Sequence, residues 1–316
     1  MFYGRNGVTE DKAEAVALFR KAADKGHESS QNWLGHCYEY GYGVTQNYTE
    51  AVSWYRKAAD QGYDVAEFNL GYCYYYGRGV TEDKAEAVSW FRKAADKGHN
   101  SAQNWLGFCY QYGCGLTKDY AEAVSWYRKA ADQGNASAQY NLGYCYQYGW
   151  GVTKDYVEAV SWYRKAADQG YALAQNSMGL CYQYGYGVTK DYAEAVSWYR
   201  KAANQGNASA QNSMGFCYYE GEGVTQDYAQ AVVWFQKAAE QGYASAQFNL
   251  GECYYFGHGV TKNYAQAVAW YTKAANKGNV SSMNRLGYCY ENGLGVEQDK
   301  AVSKVWYKKA KLAGEE

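Results

Sequence analysis

The sequence predicts an all-α fold, an α-solenoid in which about eight and a half helix-turn-helix repeats of 36 residues wind into a right-handed superhelix. The tripeptide Gly-Val-Thr, or a close variant, recurs at a constant spacing of 36 residues from Gly7 to Gly295. The 316 residues include 35 Gly and no Pro, so the chain repeats one kind of turn many times. Within each repeat, apolar residues recur at helical spacing.

The first helix of each repeat, helix A, is represented by residues 137–148. Its apolar face contains residues at i, i+4, i+7 and i+8, namely Ala138, Leu142, Cys145 and Tyr146. Gly143 lies inside this helix, and every other complete copy also has Gly there. Glycine in a helix costs about 1 kcal/mol relative to Ala. Its recurrence therefore predicts that another stretch of backbone packs against this position.

A glycine-rich turn and a second helix, helix B, complete the repeat. Gly149 and Gly151 supply the turn, and Asp155 with Glu158 three residues later forms a capping-box pattern at the start of helix B. The apolar face of helix B contains Ala159, Trp162, Tyr163, Ala166 and Ala167. Gly170 ends the helix. Two helices alone cannot bury both apolar faces, so stacking of neighbouring repeats is expected.

We expect one repeat domain over residues 1–316. It comprises an incomplete N-terminal repeat at 1–26, stacked repeats at 27–298 and a C-terminal capping helix at 299–316, where Lys308, Lys309 and Lys311 add polarity. The first five residues show no signal-peptide pattern, which favours a cytoplasmic location. Residues 1–6 supply only the tail of a helix A, so the start looks truncated and an upstream signal peptide stays open. No apolar run is long enough for a transmembrane helix, so no membrane insertion is expected.

Several motifs carry a family resemblance. Ala-x-x-x-Leu-Gly-x-x-Tyr, Gly-x-Gly-Val, Asp-x-x-x-Ala and Lys-Ala-Ala-x-x-Gly recur from about residue 7 to residue 314. This pattern resembles the Sel-one-like repeat (SLR) family, which is related to the tetratricopeptide repeat. The resemblance implies a scaffold or adaptor role: bacterial members engage host or envelope proteins, and eukaryotic members assemble membrane-associated complexes.

Eight of the nine cysteines occupy one repeat position: Cys37, Cys73, Cys109, Cys145, Cys181, Cys217, Cys253 and Cys289. Neighbouring helices lie about 8–10 Å apart, whereas a disulfide needs Cα atoms closer than about 7 Å. These cysteines are therefore predicted to be buried thiols, and no disulfides are expected. Cys114 lies in a Gly-Cys-Gly loop and is predicted to be an exposed, reactive thiol.

The sequence favours no catalytic residues, metal site or cofactor. It contains no His-x-x-x-His, Cys-x-x-Cys or phosphate-cradling glycine motif. The acidic residues that begin helix B match helix caps. A net charge of −1 gives no electrostatic case for nucleic acid or for an anionic membrane surface.

Four variable positions of helix A are spaced to share a face, which in the tetratricopeptide relatives is the concave groove. The predicted partner-binding residues are Phe68, Tyr140 and Phe248 at the first position; Tyr72, Phe108, Tyr144 and Phe216 at the second; Gln111 and Gln147 at the third; and Tyr112 and Tyr148 at the fourth. The groove would be aromatic, rich in amides and nearly uncharged, with acidic spots toward the C-terminal half. Such a surface suits an extended polypeptide or a partner helix.

Other interpretations stay open from the sequence. Glycans stack on aromatic rings, so glycan binding is a weaker alternative. A second alternative is a hydrolase or a redox-active protein that uses Cys114 or another cluster of residues, and a third is a consensus-like repeat protein with no evolved partner.

On helix B, Arg128→Ala should change partner affinity by less than about 0.5 kcal/mol if the Arg128 side chain is solvated.

Overall fold

The computed structural model describes residues 12–314, which contain seventeen α-helices and no β-strand. The chain divides into two compact units, residues 1–155 and 156–316. The first unit contains α1 (Lys12–Ala23), α2 (Glu28–Tyr40), α3 (Tyr48–Asp60), α4 (Asp64–Tyr76), α5 (Lys84–Asp96), α6 (Asn100–Tyr112), α7 (Tyr120–Asp132) and α8 (Ala136–Tyr148). The second contains α9 (Tyr156–Asp168), α10 (Ala172–Tyr184), α11 (Tyr192–Asn204), α12 (Ala208–Glu220), α13 (Tyr228–Glu240), α14 (Ala244–Phe256), α15 (Tyr264–Ala275), α16 (Val280–Asn292) and α17 (Lys300–Gly314).

Within each unit, every helix packs against the helices before and after it in the chain. Along the sequence, α1 is a single helix B, and the sixteen helices that follow alternate between helix A and helix B. The prediction of an all-α solenoid with about eight and a half helix pairs is therefore confirmed. Residues 1–11 of the incomplete first repeat lie outside the described residues, and α17 occupies the segment expected to cap the C-terminus.

Side-chain caps and glycines define where the helices begin and end. At the start of α7, the Asp119 carboxylate accepts hydrogen bonds from the backbone N–H of Ala121 at 2.9 Å and of Glu122 at 3.1 Å. At the end of α6, Gly113 adopts a left-handed φ of 71° and its N–H donates to the carbonyl of Cys109. The capping signals in the sequence therefore correspond to observed contacts.

The second glycine of each Gly-x-Gly turn allows close contact with the preceding repeat. Gly115 has φ +73°, and a Cβ placed on it would lie 2.1 Å from the carbonyl oxygen of Lys84, the first residue of α5. Any side chain would collide with this backbone. The turn that joins the two helices of one repeat is thereby packed against the repeat before it.

The glycine inside helix A faces an aromatic ring of helix B. A Cβ on Gly107 would lie 2.6 Å from the ring of Tyr127 and 3.1 Å from the carbonyl oxygen of Ala123. The predicted close approach of another backbone is observed at the Ala123 carbonyl, although the nearest group is the Tyr127 side chain. The glycine makes room for a large ring that is fully buried.

The eight cysteines at the repeated position are buried, which confirms their predicted place in the core. All nine cysteines are free thiols. Burial raises the pKa of Cys109 and of Cys145 to about 12. These thiols are therefore neutral at physiological pH and act as small apolar side chains.

Candidate functional site

The second and fourth variable positions of helix A form aromatic pairs with tilted rings in contact, which we call the ladder. Residues four apart on a helix are neighbours on its surface, so their rings can touch. The ring centroids of three consecutive pairs are 4.4–4.6 Å apart: Tyr72 with Tyr76, Phe108 with Tyr112, and Tyr144 with Tyr148. The fourth-position rings are open to solvent, with 56% of Tyr112 and 49% of Tyr148 exposed.

The first variable position lies nearer the junction between repeats than the open surface. Phe68 is partly buried, stacks on His99 with ring centroids 5.0 Å apart, and lies 5.8 Å from the ring of Phe91. Phe248 similarly contacts the ring of Tyr271 at 6.0 Å. Tyr140 is also partly buried and contacts the ladder residue Tyr144 at 6.3 Å. These residues support the ladder and present only part of their surface to a partner.

The third variable position faces the core, which corrects the prediction that Gln111 belongs to the partner-binding surface. Gln111 is buried, and its Oε1 accepts a 2.6 Å hydrogen bond from the hydroxyl of Tyr127 on helix B. A buried hydroxyl needs such an acceptor, so the amide is required for packing. Gln147 occupies the same repeat position and is partly buried.

The residue at this third position varies with its partner on helix B. Tyr55 and Tyr199, which carry a hydroxyl, donate to Glu39 and Gln183 respectively. Where helix B has Phe91 or Phe235 instead, the third position holds a tyrosine, Tyr75 or Tyr219.

Tyr271 on helix B keeps its hydroxyl although the third position of the same repeat holds a tyrosine, Tyr255. The Tyr271 hydroxyl donates to Glu252 instead. The correlated change at positions 16 residues apart is visible in the sequence. It would have indicated that this variation serves packing.

A further variable position, the residue between the two turn glycines, was not identified from the sequence. We call it the loop position, and its eight copies carry seven residue types: Tyr42, Arg78, Cys114, Trp150, Tyr186, Glu222, His258 and Leu294. Trp150 packs beside the ladder, with its ring 5.2 Å from Tyr144 and 5.7 Å from Tyr148. Variation between two invariant glycines was the sequence signal for this position.

The loop position also contacts the third position of the preceding repeat, 39 residues earlier. Arg78 donates to Glu39, with Nη1 and Oε1 3.2 Å apart. The Tyr219 hydroxyl and the Nδ1 atom of His258 are 2.7 Å apart. These two junctions between repeats therefore use different chemistry, an ion pair in one and a hydroxyl–imidazole contact in the other.

Cys114 is partly buried, which corrects the prediction of an exposed thiol. It lies at the loop position, where its Sγ accepts a hydrogen bond from the hydroxyl of Tyr75 at 3.6 Å. Burial is the largest cause that raises the pKa of Tyr75, and the hydrogen bond to Cys114 is the next largest. The loop folds back on the preceding repeat and covers part of the thiol.

Arg128 does not meet the condition of a solvated side chain that would make it a control for binding. Its guanidinium is partly buried and donates a hydrogen bond to the hydroxyl of Tyr146. Its Cζ lies 5.8 Å from the Tyr146 ring centroid. The same pairing recurs between Arg164 and Tyr182 at 2.7 Å, so it belongs to the repeat's packing.

The ladder offers ring faces, ring edges and hydroxyls, which suit recognition better than bond-making chemistry. Between residues 12 and 314, no three His, Cys, Asp or Glu side chains are placed to hold a metal ion together. In the same range, no helix combines the length and apolarity needed to cross a bilayer.

Comparison with known families identifies the repeat. A family model described as Sel1 repeat matches nine consecutive segments, at residues 1–27, 28–63, 64–99, 100–135, 136–171, 172–207, 208–243, 244–279 and 280–315. The chain belongs to the Sel1 repeat family. Solenoids of this family are generally non-catalytic and generally serve protein–protein interaction.

Solved structures share this fold. One is c5321, a protective antigen present in uropathogenic Escherichia coli strains, with 41% identity and a TM-score of 0.81. The match covers 95% of this chain but only 64% of c5321. A Sel1 repeat protein from Oxalobacter formigenes shows 37% identity and a TM-score of 0.71, over 77% of this chain and 96% of that one. No curated protein matches the sequence.

Proposed function

We propose that this Sel1 repeat protein is a non-catalytic interaction scaffold that binds an extended polypeptide or a partner helix along its ladder. The main support is the set of tilted ring pairs formed by Tyr72, Phe108 and Tyr144, each with an exposed ring beside it. Soluble proteins rarely expose aromatic side chains in contiguous sets without a function. Tyrosine gives a large contact area at low entropy cost, together with a hydroxyl for hydrogen bonding.

The loop position is the second part of the proposed surface. Its side chains lie beside the ladder and differ from repeat to repeat, whereas the packing positions stay nearly constant. We assign affinity to the ladder and selectivity to the loop position. A repeat protein can read an extended partner in this way because successive repeats meet successive segments of it.

A hydrolase or redox role through Cys114 has weak support. The thiol is partly buried, and its Sγ accepts a hydrogen bond from the hydroxyl of Tyr75, which is not a base that could activate it. A consensus-like repeat protein with no evolved partner would have no reason to vary the loop position while keeping both flanking glycines.

Selection from a display library of random dodecapeptides tests the proposal. The protein should enrich related sequences, and the enriched peptide should bind Tyr144→Ala about thirtyfold more weakly, because buried aromatic anchors contribute about 2 kcal/mol or more. Ser125→Ala, an exposed change on α7, is the control and should bind normally. Failure to enrich any peptide, or equal affinity for Tyr144→Ala and wild type, would refute the ladder as the binding surface.

A further inference from the structure

In the second unit, two carboxylates replace ladder residues in adjacent repeats. Glu220 holds the fourth position of α12, where the other complete copies have Tyr, Phe or Asn. Glu252 holds the second position of α14, where the other copies have an aromatic residue, His or Leu. Glu252 is paired with Arg285, whereas Glu220 adds a negative charge without a basic partner among residues 12–314.

These two carboxylates line one pocket of about 200 Å³ between α12 and α14. Its remaining lining is mostly aromatic and comprises Phe216, Tyr219, Phe235, Phe248 and the amide of Asn249. Phe216 belongs to the ladder and is 40% exposed, so the pocket opens beside the proposed binding surface. Aromatic walls with acidic groups form a lining of the kind that holds an organic cation.

The charge balance of the pocket favours a cation. Glu252 is held in place, because its carboxylate accepts a 2.6 Å hydrogen bond from Arg285 and another from the hydroxyl of Tyr271. Glu220 is exposed and forms no ion pair with a basic side chain anywhere in residues 12–314. No Lys or Arg is among the residues lining the pocket.

Tyr219, which also lines the pocket, is a neutral hydroxyl at physiological pH. Burial is the main cause that raises its pKa to about 12, followed by Cys253 and Tyr228, and Glu220 and Glu252 add smaller contributions in the same direction.

We propose that this pocket binds the side chain of an arginine or lysine in an extended polypeptide that lies along the ladder. The alkyl stem would pack on Phe216 and Phe248, and the cationic group would meet Glu220 and the ring faces. This inference deepens the proposed function and rests on it for the source of the side chain. The pocket is lined by Phe216, which holds the same repeat position as Tyr72, Phe108 and Tyr144, and this favours a polypeptide over a free small cation.

Two small probes test the pocket independently of any partner. Nα-acetyl-arginine methylamide should shift the NMR signals of the Phe216 and Phe248 rings, and it should bind about fivefold more tightly than the uncharged Nα-acetyl-citrulline methylamide. Glu220→Gln should abolish this preference. Glu240→Gln makes the same charge change at an exposed residue of α13 that does not line the pocket, and it should retain the preference.

Equal binding of the two probes, or shifts that leave both rings unaffected, would overturn the assignment. Peptides selected from the display library then test the source of the side chain. They should carry Arg or Lys at a fixed place, and Glu220→Gln should remove that enrichment while the remaining consensus persists.

Enriched peptides without a basic residue would overturn this inference and leave the proposed function standing. If the arginine probe binds but no peptide is enriched, the proposed function is overturned, and so is the inference that the bound cationic side chain belongs to a polypeptide. This result would assign the pocket to a small organic cation.

Discussion

The hydroxyl of Tyr199 on α11 donates a 2.6 Å hydrogen bond to Oε1 of Gln183, sixteen residues earlier on α10. The Nε2 atom of the same amide donates to Glu222 of the next repeat at 3.3 Å. One glutamine thus satisfies a buried hydroxyl and also joins two repeats. Where this position holds a tyrosine, either helix B carries Phe, as at Phe91 and Phe235, or the helix B hydroxyl has another acceptor, as Tyr271 has in Glu252.

Replacing Gln183 alone should destabilise the protein. In Gln183→Leu the buried Tyr199 hydroxyl loses its acceptor, so we expect a loss of about 1–3 kcal/mol, measured by urea unfolding. The double variant Gln183→Tyr with Tyr199→Phe reproduces the combination found at Tyr75 and Phe91 and should recover most of the loss. A double variant as unstable as the sum of its two single changes would contradict the coupling.

Gly107→Ala should also destabilise, although Ala favours a helix by about 1 kcal/mol over Gly. The added Cβ would lie 2.6 Å from the Tyr127 ring, and such overpacking typically costs about 1–3 kcal/mol. The melting temperature should fall in a thermal scan followed by circular dichroism. Ser125→Ala provides a neutral helix control. A rise in melting temperature for Gly107→Ala would show that propensity outweighs packing here.

Alkaline pH should unfold the protein. Burial raises the pKa of Cys109, Cys145, Cys181 and Cys253 from 9.0 to about 12. Between these values the unfolded chain loses a proton that the folded chain keeps, so the contribution of these thiols to stability is constant below pH 9 and falls above it. Between pH 9 and pH 12, each such thiol lowers the free energy of unfolding by about 1.4 kcal/mol per pH unit.

Urea midpoints measured from pH 7 to pH 11 should reveal this decrease. The variant Cys145→Ala should show a shallower slope above pH 9, because one titrating thiol is gone. An unchanged slope in the variant would mean that the cysteines do not carry the effect.

Native thiol labelling should modify one cysteine before the others. Cys114 is partly buried, whereas the other eight cysteines are buried, so it should react first with a neutral disulfide reagent at pH 8. Tyr75→Phe removes the hydroxyl that covers its sulfur and should speed the reaction. Rapid labelling of several cysteines in the native state would contradict the burial of the core thiols.

The sequence was sufficient to predict the helices, the repeat length and the core, because those depend on local patterns that recur in every copy. The caps at Asp119 and the burial of Cys145 follow from rules that apply within a few residues. The stop at Gly113 likewise follows from its place after an apolar helix. Repetition strengthened each of these predictions, since the same signal appeared at the same place many times.

The candidate site was predicted less completely, because its contacts join positions far apart in the chain. Gln111 varies among copies, so variation alone suggested a binding residue, whereas the structure shows a core contact with Tyr127. Trp150 was missed because a loop side chain has no periodic pattern that places it. Its position beside Tyr144 depends on how the turn folds back.

The loop position should control selectivity without controlling the fold. Trp150 contacts Tyr144, Tyr148 and the Tyr120 ring, the last at 5.2 Å, and it lies between two glycines with positive φ. Trp150→Arg keeps a large side chain there and imitates Arg78 of an earlier copy. A peptide selected against the wild-type protein should bind this variant about tenfold more weakly, because an aromatic anchor is replaced by a charge.

The circular dichroism spectrum and urea midpoint of Trp150→Arg should stay close to those of wild type, since seven residue types occupy this position naturally. Repeating the selection with the variant should yield a different consensus, enriched in acidic residues where the wild-type selection favours apolar ones. Leu294→Arg makes a comparable loop change in the last repeat, far along the chain from Trp150, and should leave the original peptide's affinity within about twofold. The same consensus from both wild type and Trp150→Arg would show that the loop position joins repeats but does not select partners.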